Sequence, residues 1–70
     1  MGIKLQNRLV EARMNRGLTQ KGLANLCGLR PSAISHFESG RRTPSIKNLV
    51  KLSKALCVSS DYLIGLSDGT

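Results

Sequence analysis

The sequence predicts an all-α fold of five short helices in one domain spanning residues 1–70. Three observations carry that prediction. Apolar residues recur at helical spacing, glycines and Ser/Thr mark where helices stop and start, and Ala24 stands four positions before Gly28. The last pattern suits two helices crossing at a tight turn. Such a crossing needs a small residue where the helices touch and a left-handed turn residue between them. It also needs bulky anchors on the second helix, here Ile34 and Phe37.

The first helix is expected over Ile3 to Arg16, with Leu5, Leu9 and Ala12 on one face and Met14 beside them. Gly17 stops it. Thr19 caps the second helix, which carries Leu23, Ala24 and Leu26 and ends at Gly28. Gly22 weakens that helix, since glycine costs about 1 kcal/mol against alanine in a helix interior. Pro31 opens the third, because proline at the first helical position forfeits no hydrogen bond. Arg30 is then its cap residue, and a cation at the positive end of a helix fits best with an anion nearby. This helix ends near Ser39-Gly40, before the loop Arg41-Arg42-Thr43-Pro44. Ser45 caps the fourth, whose apolar positions are Ile46, Leu49, Val50, Leu52, Ala55 and Leu56, with Lys47, Lys51 and Lys54 on the wet side. Ser59 caps a short fifth helix holding Asp61, Tyr62, Leu63 and Ile64. Gly65 closes it, and the tail from Leu66 to Thr70 is expected to fray or to continue into a further segment.

Composition narrows the function. The chain carries 11 Lys and Arg against 4 Asp and Glu, a formal charge of +7. From Ala12 to Ser60 the sole acid is Glu38, so the imbalance is concentrated in the middle of the chain. A polyanionic partner follows from that asymmetry. Cys27 and Cys57 stand apart without a C-x-x-C pair, and there is 1 His, so no zinc framework can be written. Both cysteines are expected to act as small apolar residues beneath helix ends, with a structural disulfide as the alternative. No signal peptide, membrane span or lipidation motif is legible, which predicts a cytoplasmic protein. No metal, cofactor or small-molecule ligand is called for, and no enzyme. Ser35 and His36 make no dyad, because neighbours on a helix point about 100° apart.

The stretch Leu18 to Glu38 is a helix-turn-helix pattern, centred on residues 19–38, and in that motif the second helix enters the DNA major groove. The whole set of marks is similar to the phage repressor and Cro-type (XRE) family. They are Arg13, Gly17-Leu18-Thr19-Gln20, Leu23-Ala24, Gly28-Leu29, Ile34-Ser35, Glu38-Ser39-Gly40, Pro44, Lys51 to Leu56, and Val58-Ser59 followed by Asp61-Tyr62-Leu63. The resemblance covers about residues 5–65. It implies a compact five-helix lambda-repressor-like domain that binds double-stranded DNA, commonly as a homodimer. Lys21-Gly22 departs from the family, which often carries acids there; losing negative charge at that place does not weaken contact with phosphates.

Roles follow residue by residue. With Ile34 and Phe37 turned inward, Ser32, Ser35 and His36 point outward, with Arg30 and Pro31 at the leading end. The resemblance makes Pro31, Ser32, Ser35 and His36 base-reading positions, and Arg30 can reach guanine O6 and N7 or a phosphate. The resemblance also implies that Gln20 contacts a phosphate. Arg41, Arg42 and Thr43, in the loop where the duplex backbone passes, are expected to bind phosphate too. The resemblance further pairs Arg13 with Glu38 as a structural ion pair, with a phosphate as the alternative partner of Arg13. Ile64 and Leu66 exceed what a short last helix can hide, which makes them candidates for a self-complementary dimer contact. The predicted function is sequence-specific transcriptional regulation, as a repressor on a near-palindromic operator. Alternatives are a restriction-modification controller, an antitoxin, or a protein-interaction module of the same fold.

Overall fold

The computed structural model describes residues 2–66, with side chains from Leu5 onward; the last four residues of the expected tail lie outside the described part. Among the described residues all regular structure is helical: α1 (Gly2–Asn15), α2 (Gln20–Cys27), α3 (Pro31–Ser39), α4 (Ile46–Leu56) and α5 (Ser60–Leu63). No helix there is long and apolar enough to cross a membrane. Sequence and structure agree on the five elements. The caps explain why. Thr19, Ser45 and Ser59 each accept, through the side-chain hydroxyl, a backbone N–H three residues on, at 2.9, 3.2 and 3.0 Å.

Gly28 takes the left-handed conformation (φ 68°), and Leu29 N–H returns to the Ala24 carbonyl at 2.9 Å, closing α2 and aiming the chain into α3. Cys57 does the same work after α4 with φ 58°, and it is the sole non-glycine residue with positive φ among those described. It is exposed there, not tucked beneath a helix end as its sequence suggested. Its Sγ lies 3.9 Å from the Lys54 carbonyl of the helix it terminates. Cys57→Gly should therefore raise stability by about 0.5–1 kcal/mol, read as a higher urea midpoint, because a Cβ is strained in this conformation. Cys27 is buried, as expected; burial pushes its thiol pKa up, with the Lys51 ammonium pulling the other way.

The core is one cluster. Leu9, Leu23, Ile34, Leu52, Leu56 and Leu63 are fully enclosed, and Leu5, Ala12, Ala24, Cys27 and Phe37 complete it. In packing terms α2 lies against α3 and α4, α1 against α3 and α5, and α4 against α5. Ala24, with no exposed surface, lets α3 approach α2 closely. Arg8 ties α1 to α5, donating Nη1–H to the Tyr62 carbonyl at 2.8 Å with its guanidinium 4.6 Å from the ring centroid.

Four apolar residues read as packing positions face solvent instead: Met14, Leu26, Ile46 and Val50. Each lies off the narrow stripe that its helix presents to neighbours. In α2 that stripe is filled by Leu23, Ala24 and Cys27, at i, i+1 and i+4, so Leu26 falls on its edge. In α4 the stripe is Leu52, Ser53 and Leu56, while Ile46 and Val50 share a flank one turn apart. Ser53 is admitted to the core face because its hydroxyl donates to the Val50 carbonyl at 2.8 Å. A Cβ at Gly22 would lie 3.2 Å from the Thr19 hydroxyl oxygen, a tight contact, but Gly22 has no positive φ, and nothing in the structure requires glycine there.

Candidate nucleic-acid interface

The nine residues of α3 divide by face. Ile34 and Phe37 anchor the helix in the core, while Pro31 and Ser32 are exposed and Ser35 and His36 are half-buried. Arg30 occupies the cap position without a side-chain cap hydrogen bond, leaving its guanidinium exposed at the amino end of the helix. The chain then leaves α3 through Gly40 and the exposed Arg41, Arg42 and Thr43. Arg42 N–H reaches back to the His36 carbonyl at 3.3 Å, which folds the loop alongside the helix.

A groove of about 500 Å³ opens between α3, this loop and the start of α4. It brings together Arg30, Ser32 and His36 with Arg42 and Thr43, and adds Asn48. Ser35, Gln20 and Arg41 do not line it. The sequence does not single out Asn48, because apolar and lysine spacing dominates the pattern of the fourth helix. The amide was the signal available: an Asn among lysines offers paired donor and acceptor atoms for a nucleic-acid edge.

Behind the groove, Glu38 is held by three donors. Arg13 Nε–H and Nη2–H reach its two carboxylate oxygens at 2.6 and 3.2 Å, and Gln20 Nε2–H reaches Oε1 at 2.9 Å. Arg13 Nη1–H also bonds the Leu18 carbonyl at 2.8 Å. The cluster thus joins α1, the turn before α2, the first residue of α2 and the end of α3. Gln20 gives one amide hydrogen to Glu38, which leaves its second for an outside acceptor. The only acid of the basic stretch is neutralised inside this cluster, so Arg30, Arg41 and Arg42 project an uncompensated positive field. Ile64, at the far end of the chain, is half-buried, and Leu66 is 71% exposed.

Two helices at a glycine turn, the second presenting a polar face flanked by arginines, define a helix-turn-helix protein built for a polyanion. The helix-turn-helix family model matches residues 9–63. The chain belongs to the XRE-type helix-turn-helix family of DNA-binding transcriptional regulators, and its fold is lambda-repressor-like. It is 40% identical over 63 residues to the HTH-type transcriptional regulator ImmR of Bacillus subtilis, covering 90% of this chain and 50% of that protein. The chain thus spans about half the length of the curated relatives it matches. Among solved structures it is similar to the restriction-modification controller protein C.AhdI of Aeromonas hydrophila, with TM-score 0.83 and 39% identity over 89% of this chain and 94% of that one. It is also similar to the P22 c2 repressor in complex with a synthetic operator, with TM-score 0.81 and 36% identity over 84% of this chain and 89% of that one.

Proposed function

We propose that the chain is a sequence-specific binder of double-stranded DNA that acts as a transcriptional repressor, with α3 in the major groove. The observation that carries this reading is the groove uniting Arg30, Ser32 and His36 with Arg42 and Thr43. Base-edge chemistry and phosphate chemistry stand side by side there, as a protein seated in a groove requires. Arg30, Pro31, Ser32, Ser35 and His36 read bases; Gln20, Arg41, Arg42 and Thr43 hold the backbone. The P22 c2 repressor, itself bound to operator in its solved form, supports the assignment. Ile64 and Leu66 form the two-fold contact of a homodimer, spacing the recognition helices about 34 Å apart on a near-palindromic site. Sedimentation on and off DNA tests that contact, and a monomer under both conditions removes it.

A second reading, a restriction-modification controller, has one specific point in its favour. C.AhdI is similar in both fold and sequence, with TM-score 0.83 and 39% identity, values next to those of the P22 c2 repressor. Both readings use the same DNA-facing residues.

Selection of bound sequences from a random duplex pool is the test. Ser32→Ala or His36→Ala should change the preferred sequence. Arg41→Ala should weaken every duplex alike and lower the slope of log affinity against log salt by about 0.9. An unselective protein, or a preference insensitive to Ser32 and His36, refutes the proposal.

A further inference from the structure

A second surface lies away from the α3 groove and shares no residue with it. Arg16, the Leu26-Cys27 end of α2 and the Lys51, Lys54 and Ala55 part of α4 line a cleft of about 500 Å³. Its floor is the buried Cys27, and its wall includes Leu26, a leucine left 59% exposed. Neither Arg16 nor either lysine is ion-paired among the described residues, and the buried carboxylate of Glu38 is taken by Arg13. Lys51 and Lys54 stand three positions apart, so their heads lie on one side of α4. An apolar centre rimmed by three unpaired cations is a mixed surface, and its chemistry selects its occupant.

We propose that this cleft docks an acidic amphipathic helix of a second protein. Charge complementarity makes the choice. A second copy of this chain would bring a formal charge of +7 to an already cationic rim, with Glu11 and Asp61 as the exposed acids among its described residues. A duplex would satisfy Arg16, Lys51 and Lys54 but would lay charged phosphates over Leu26 and Ala55. A helix with two apolar residues one turn apart, flanked by Glu or Asp, satisfies both at once in the helix-in-groove manner. Because the α3 groove stays open, such a partner binds the protein while it is on DNA.

The test uses a phage-displayed library of helical 14-residue peptides, selected against the protein bound to a duplex recovered from the random pool. Selected peptides should carry two apolar residues four apart with at least two flanking carboxylates. Their affinity should fall at least tenfold on Leu26→Ala, and at least tenfold on Lys51→Gln combined with Lys54→Gln. Leu26 and Lys54 are exposed and Lys51 is half-buried, and the salt slope for the duplex should stay unchanged. No enrichment, enriched peptides indifferent to either variant, or a duplex salt slope lowered by the lysine pair would each overturn the proposal. The last outcome would assign the surface to nucleic acid.

Discussion

Glu38→Ala is expected to destabilise the fold by about 3–5 kcal/mol. The glutamate side chain is 7% exposed and its arginine partner 15%, so this pair is not a solvated surface bridge. Removing the carboxylate strands the Arg13 Nε–H and Nη2–H and the Gln20 amide hydrogen, which no longer meet an acceptor. A domain of this size has a total stability on the order of 4–10 kcal/mol. The variant should therefore lose roughly half of its stability or more, and its urea midpoint should fall by well over 1 M at a slope of about 1 kcal/mol/M. Arg13→Met combined with Glu38→Leu should recover most of the loss, because neither partner then remains as a buried unpaired charge. A cost below about 1 kcal/mol for Glu38→Ala would mean that solvent screens the pair as it does an exposed one. The consequence reaches function, since the same cluster holds the carboxy end of α3 and fixes the Gln20 amide, whose second hydrogen is left for an outside acceptor.

The sequence made the five helices legible through local chemistry. Thr19, Ser45 and Ser59 cap within their own first turns, and Gly28 acts on the residues beside it; nothing distant is needed to read them. The failures were of another kind. Met14, Leu26, Ile46 and Val50 are apolar and helical, but burial depends on which neighbours a helix finds, and three-dimensional packing leaves their flanks uncovered. Cys57 adopts a glycine-like conformation without being glycine, so no residue-type signal announced it. At the site, the outward set Ser32, Ser35 and His36 follows from the angular spacing around one helix once Ile34 and Phe37 face in. That Gln20 reaches Glu38, or that Asn48 joins the groove, depends on how α2 and α4 dock against α3. Those contacts span long separations in sequence, and only the assembled fold brings them together.

Ile34→Ala separates the two faces of α3 experimentally. Ile34 has no exposed surface and belongs to the cluster it shares with Leu23 and Ala24 of α2. Truncation removes three carbons from a close-packed site, and the expected cost is about 2–5 kcal/mol, by lost transfer energy and the cavity left behind. A nine-residue helix is shorter than the roughly 12–15 residues at which isolated helices become even marginal in water. Its alignment therefore rests on Ile34 and Phe37, and loosening one anchor lets the reading face tilt. Chemical denaturation should register the loss, and DNA affinity of the remaining folded protein should fall for every duplex in the same proportion. Ser32→Ala is the converse: within about 0.5 kcal/mol of the parent in stability, as exposed substitutions usually are, but with a changed sequence preference. The pair of results is discriminating because both residues sit two positions apart on the same helix. An Ile34→Ala protein of parental stability that selects a different sequence would reverse the assignment of faces, and the major-groove reading would fail with it.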